Sequence, residues 1–276
     1  MTDLEFDTLF ELSPHQGSFF REFMRVYDIR GKDILELGGA MPRKLVLDFC
    51  QANSWTCVQS EEYSKHRSDN QQPSESDSSA GYRFYFTQAE EFCEEHKQKY
   101  DAVFSIAAFE HFLHLPKVFR LLPNLLKPEG VLFSIFAPIW SGPYGQHFTH
   151  PVPERFRSLG SEYPSAQQIF DTPWDHLLLS PSQYLLRYTE KFDSEFAELL
   201  TYETYQSPQI NRFILNDYKQ IALAANFKSK FIAPQFTMPT HSLEVFRKEL
   251  KTLQAKYHSN DPMDFLNAGI YMHFVR

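Results

Sequence analysis

Ile34-Leu35-Glu36-Leu37-Gly38-Gly39-Ala40 decides how this chain is read. Apolar residues run into a carboxylate, and two adjacent glycines follow at once. This order suits a buried strand that stops at a ligand. The apolar side chains bury the strand, and the carboxylate sits where the strand ends. The glycines let the backbone turn tightly and approach a bound group with no Cβ in the way.

Working outward, strand and helix signals alternate. Ser13 to Tyr27 predicts a helix, with Ser13-Pro14 as cap and first turn, and Phe19, Phe20, Phe23, Met24 and Tyr27 at helical spacing. Gly31 ends it. Arg43 to Ala52 predicts a second helix, and Trp55 to Ser60 a second strand followed by Glu61-Glu62. Ser64 to Gly81 has almost nothing apolar to bury and is expected to be a surface loop. Tyr82 to Phe86 (strand), Ala89 to Lys97 (helix), Tyr100 to Ser105 (strand), Leu115 to Leu126 (helix) and Val131 to Phe136 (strand) complete the series, with a turn at Lys127-Pro128-Glu129-Gly130. Short strand–helix alternation of this kind implies parallel βαβ units with right-handed crossovers.

Pro138 to Pro208 breaks the alternation and is rich in Pro, His, Tyr, Trp and Phe. It is expected to be an insertion after strand five that covers the open end of the sheet. Ile214 to Ala225 and Ser242 to Tyr257 read as helices, Lys228 to Ile232 as a strand, and Ala268 to Val275 as a closing strand at or near the sheet's end. The expected division is 1–137, 138–208 and 209–276.

The 276 residues, 42% of them hydrophobic, suffice for one large core with a substantial insertion. The net charge of −8 and the lack of a long Lys/Arg block weigh against a nucleic-acid backbone as partner. Cys50, Cys57 and Cys93 form no CxxC pair, so neither a zinc site nor a disulfide framework is expected. Met1-Thr2-Asp3-Leu4-Glu5 is acidic and does not begin a basic-then-apolar signal, and no apolar run reaches membrane-spanning length. The expectation is a cytoplasmic protein with no membrane partner and an open oligomeric state.

The segment Glu36-Leu37-Gly38-Gly39 resembles the first motif of the class I S-adenosylmethionine-dependent methyltransferases, with Ala40 and Pro42 where further family glycines are usual. Later segments match in order: Glu61 after strand two, Gln88-Ala89 after strand three, Ser105-Ile106-Ala107-Ala108-Phe109-Glu110-His111 after strand four, and Leu125 to Leu132 before strand five. The resemblance spans about residues 30 to 136 and the last two strands. It implies an α/β fold with a Rossmann-like, seven-stranded, mostly parallel sheet and helices on both faces. It also implies S-adenosyl-L-methionine as cofactor.

By the same resemblance, Glu36, with Gly38 and Gly39, would hold the methionine amino group. Glu61, or Glu62 one place on, would accept the ribose hydroxyls. Gln88 and the backbone of Ala89 would meet the adenine edge, and the segment from Ser105 would lie under the methionine moiety.

Methylation of a hydroxyl needs a positioned nucleophile, exclusion of water and a base, for which His is the natural candidate; no metal is demanded. His147, in the loop Pro138 to Phe148 with Trp140 and Tyr144, is the first candidate, close to His150 in sequence. His176 is the second and His111 the third. The expected activity is methylation of a small-molecule acceptor, with oxygen favoured over nitrogen and a role in secondary metabolism. Two alternatives stand beside it. One is a methyltransferase-like protein that binds cofactor or partner without turnover. The other is a nucleotide-linked oxidoreductase, which the missing GxGxxG disfavours.

Overall fold

A computed structural model describes residues 1–60, 80–146, 148, 151–158, 172–236 and 242–276. Its strands are β1 (Asp33–Leu37), β2 (Ser54–Gln59), β3 (Tyr82–Phe86), β4 (Tyr100–Ile106), β5 (Leu126–Phe136), β6 (Ser229–Phe236) and β7 (Asn267–Val275). They form one seven-stranded sheet in the order β3-β2-β1-β4-β5-β7-β6. The pairs β1–β2, β1–β4, β2–β3 and β4–β5 are parallel. The chain steps outward from β1 to β3, then crosses to β4 on the other side of β1. The carboxyl ends of β1 and β4 therefore border a topological switch point, where open α/β sheets bind their ligands.

Strand alternation assigns the two faces. Ile34, Trp55, Phe84, Phe104 and Phe133 belong to one buried cluster, under Phe20 and Phe23 of α2 (Pro14–Val26). Phe23 lies 4.8 Å from Phe104 and 5.1 Å from Phe133, ring centre to ring centre. On the other face Phe92 of α3 (Ala89–Glu95) meets Tyr85, and Phe119 of α4 (Leu115–Leu125) meets Phe109 and Phe274. Burying aromatics of this size is the main stabilising contribution on both faces.

Three local expectations need correction. An unexpected α1 (Asp3–Leu9) precedes α2. Thr2 and Glu5 form a reciprocal capping box at its start, a Thr-x-x-Glu signal that stands in the sequence. The helix expected over 43–52 is a π-helix, Lys44–Phe49. Its wider turn buries Leu45 and Val46 while leaving Phe49 edge-on to Phe6 and Phe10, half exposed. The turn expected at 127–130 is an irregularity inside β5. Tyr100 pairs with Leu126 but Ala102 pairs with Val131, and Glu129 takes a left-handed φ of 59°. The closing strand β7 lies between β5 and β6, so β6 forms the edge. Most of the loop expected over 64–81 lies outside the described residues.

The remaining helices are α5 (Pro151–Ser158), α6 (Asp175–Leu178), α7 (Pro181–Thr189), α8 (Ser194–Tyr205), α9 (Leu215–Ala224) and α10 (Ser242–Tyr257). Among the described residues no helix is long and apolar enough to cross a membrane. The chain divides into two compact units. The first holds Met1–Phe136, Ile221–Ala233 and Tyr271–Arg276. The second holds Ala137–Gln220 and Pro234–Ile270, so the segment 138–208 falls within it together with 209–220 and 234–270. In the second unit, one apolar cluster gathers Phe148, Tyr184, Tyr188 and Phe196, and another gathers Trp140, Trp174, Phe246 and Phe265.

Candidate active site

Glu36 ends the buried face of β1 and is itself buried. One carboxylate oxygen, Oε2, accepts the indole N–H of Trp55 at 2.6 Å and the backbone N–H of Met41 at 2.8 Å. The other, Oε1, lies under Gly39, where an added Cβ would come within 2.4 Å of it. Gly38 takes a left-handed φ of 85° and donates its N–H to the Val58 carbonyl at 2.8 Å. A Cβ on Gly38 would sit 2.3 Å from the Ala108 Cβ, so the turns after β1 and β4 touch there. Both glycines are therefore required by space, and Gly38 also by conformation. The Cys57 thiol lies 3.6 Å from Glu36 Oε2. Burial and that carboxylate push its pKa well above the ordinary thiol range, which leaves it inert.

The end of β2 carries a residue that the sequence reading passed over. Gln59 is buried, and its side-chain Nε2 has no hydrogen-bond partner among the described residues. The Gln59 backbone carbonyl accepts the Thr87 N–H at 3.1 Å, which joins the ends of β2 and β3. The signal for it in the sequence is a polar residue closing an apolar strand, two places before the carboxylate Glu61. Glu61 and Glu62 lie outside the described residues.

Gln88 caps α3 with extended backbone. Its side chain is exposed and makes no capping hydrogen bond. Ala89, next to it, is buried. Ser105 is fully buried and donates its hydroxyl to the Leu37 carbonyl at 2.9 Å, fastening β4 to β1 just before the glycines. Beyond β4, Ala107 is held at a φ of 46° with its N–H on the Ile135 carbonyl. Left-handed backbone at a non-glycine residue is a strain that concentrates near functional sites. Thus Glu36, Gly38, Gly39 and Ser105 come together at the switch point, on β1 and β4. Gln59 and Gln88 end the neighbouring elements.

In the second unit the loop after β5 is held tightly. A Cβ on Gly142 would meet the Asn267 carbonyl oxygen at 2.3 Å, and one on Gly145 the Trp140 carbonyl oxygen at 2.2 Å. The segment 174–176 clamps this loop. Trp174, buried at a φ of 64°, donates its backbone N–H to the Pro143 carbonyl and its indole N–H to the Phe265 carbonyl, both at 2.7 Å. Asp175 accepts from Arg187 at 2.6 Å and from the Tyr188 hydroxyl at 3.1 Å.

His176 is 1% exposed and donates Nε2–H to the Trp140 carbonyl at 2.7 Å, with its ring edge-on to Trp140. Burial pulls its pKa down to about 3, against the hydrogen bond to Trp140, so the ring is neutral at physiological pH. Such a group holds a loop in place and is a poor acceptor for a substrate proton. His147 and His150 lie outside the described residues. His111 sits on the short 3-10 turn Phe109–His111, partly exposed.

The arrangement fits S-adenosylmethionine. A left-handed glycine, a second glycine with no room for a side chain, a buried carboxylate beneath them and a buried amide at the end of β2, its Nε2 unpaired among the described residues, lie at the carboxyl ends of the strands. Comparison with a family model agrees. A methyltransferase domain family model matches residues 18–228. Among solved structures, a candidate S-adenosylmethionine-dependent methyltransferase from Listeria monocytogenes has a TM-score of 0.51 at 11% identity, over 95% of this chain and 99% of that one. One from Mesorhizobium loti has a TM-score of 0.49 at 12% identity, over 93% and 97%. No curated protein matches the sequence. With the family match extending over well over half of its length, the chain belongs to the methyltransferase domain family and is an S-adenosylmethionine-dependent methyltransferase.

Proposed function

We propose that the acceptor is a small molecule methylated at oxygen, and that the segment 138–208 supplies most of the residues that bind it. S-adenosylmethionine brings an electrophilic methyl group together with its own leaving group. The protein is left to hold an acceptor oxygen, keep water away and take one proton. Glu36, Gly38, Gly39, Gln59, Gln88, Ala89 and Ser105, together with Glu61, are the residues we assign to holding the cofactor. His147 is the base, and His176 positions the loop that carries it.

The observation that carries this reading is the clamped loop after β5. Its backbone is pinned by Trp174 and His176, and aromatic side chains surround it. A rigid, aromatic-rich frame suits a partly apolar compound of modest size. The net charge of −8 speaks against a nucleic-acid substrate, and our reading places the reaction in cytoplasmic secondary metabolism. Calorimetric titration with adenosylhomocysteine, with NADH as control, is followed by an acceptor screen of hydroxylated and amino compounds. Micromolar adenosylhomocysteine binding and turnover of a hydroxylated acceptor are expected. His147→Ala is expected to cut turnover with cofactor affinity kept. Full turnover in that variant removes His147 as the base. Cofactor binding with no hydroxylated or amino compound turned over counts against a small molecule as the acceptor.

A further inference from the structure

Arg212 lies in the second unit, between α8 and α9, half buried. Its Nε donates to the Thr204 carbonyl at 3.1 Å and its Nη2 to the Ser207 carbonyl at 3.0 Å. The guanidinium carbon lies 5.5 Å from the centre of the Trp140 ring, the residue that opens the clamped loop. Among the described residues no carboxylate is within ion-pair distance of it, and Nη1 has no acceptor. Burial lowers its pKa, and the buried Glu203, beyond ion-pair distance, partly offsets this.

Thr204 and Ser207 stand at and just past the carboxyl end of α8, so part of what Arg212 does is to cap that helix. Capping uses one edge of the guanidinium and fixes its plane over Trp140. It leaves Nη1 and its hydrogens without a protein acceptor among the described residues, on a charge that is half desolvated. A guanidinium held this way is pre-organised for a planar or tetrahedral anion, because the side-chain ordering is complete before the ligand arrives.

We propose that Arg212 anchors an anionic group on the methyl acceptor, a carboxylate or a phosphate monoester, beside Trp140. This rests on the small-acceptor reading above and narrows it to acidic acceptors. Trp140, itself buried, fixes the plane of the guanidinium, and Arg212 supplies the charge that meets the anion. Glu203 raises the cost of bringing in an anion, and selectivity for anions over neutral analogues measures whether Arg212 overcomes it.

The test is titration of the full chain, with adenosylhomocysteine present, with benzoate, benzamide and phenyl phosphate. At least one anion is expected to bind about tenfold or more tighter than benzamide, the gain of a charge-assisted hydrogen bond. Which anion wins identifies the acidic group. Arg212→Gln is expected to bring anions and amide to parity, and Arg212→Lys to keep part of the preference. Should loss of the helix cap unfold the Gln variant, the native chain and the Lys variant still decide. Equal binding of anions and amide, no binding of any of the three, or a preference that survives in Arg212→Gln overturns the anchor. A turnover assay with hydroxybenzoate and hydroxybenzamide separates the two readings. Equal methylation of both overturns the anchor alone, whereas methylation of neither by a chain that binds adenosylhomocysteine counts against the small-acceptor reading.

Discussion

Gly39 and Glu36 show how much rests on single atoms. The Gly39 backbone is not in the left-handed region, so its need for glycine is spatial: the missing Cβ would press on Glu36 Oε1. Gly39→Ala is expected to cost about 1–3 kcal/mol as an overpacked buried site. It should also weaken adenosylhomocysteine binding, read by urea denaturation and calorimetry on the same variant. Gln59 gives the opposite pattern. Its side chain is buried and Nε2 is unpaired among the described residues, so Gln59→Leu removes a buried donor that has no acceptor there. Stability is expected to hold or rise, while adenosylhomocysteine affinity falls about tenfold. A variant with unchanged affinity would take Gln59 out of the cofactor site. The glycines were legible in the sequence because turns demand them, but the reason for each was not, since it lies in Glu36 Oε1 and Ala108 Cβ.

Among the elements, the short α6 (Asp175–Leu178) is held from two sides. Asp175 and His176 tie it to α7 and to the loop after β5. His176 has a folded pKa of about 3 against an ordinary 6.5. Below pH 6.5 the unfolded chain takes up a proton that the folded chain refuses. The stability His176 contributes is therefore complete above about pH 6.5 and is lost progressively as the pH falls toward 3. His176→Gln keeps a donor for the Trp140 carbonyl and removes the titration. Denaturation midpoints taken from pH 7 to pH 4 are expected to fall less steeply in the variant than in the native chain. The helix and strand types of the first half were readable from apolar period and turn residues. The π-helix and the irregular start of β5 were not, because each comes from how neighbouring chains pack and pair, and periodicity does not record that.

For the molecule as a whole, cofactor binding is a stability measurement. Adenosylhomocysteine at a free concentration about a hundredfold above its Kd is expected to stabilise the native state by about 2.7 kcal/mol, seen as a higher melting temperature, with no shift from NADH. A chain that melts identically with and without it would contradict the fit described for Glu36, Gly38 and Gly39. The fold class was determined by the sequence alone, because strand–helix alternation at short spacing leaves parallel βαβ units as the way to bury both faces of the sheet. The Glu36-Leu37-Gly38-Gly39 motif likewise marked the ligand end of β1, since backbone conformation and burial follow directly from residue type. Tertiary structure alone decided which polar residues are left with something to bind. It committed His176 to a carbonyl, Ser105 to β1 and one edge of Arg212 to a helix end, while leaving Gln59 Nε2 and Arg212 Nη1 uncommitted among the described residues. Those outcomes depend on partners far away in the chain, and hydrogen-bond partners distant in sequence leave no local pattern to read.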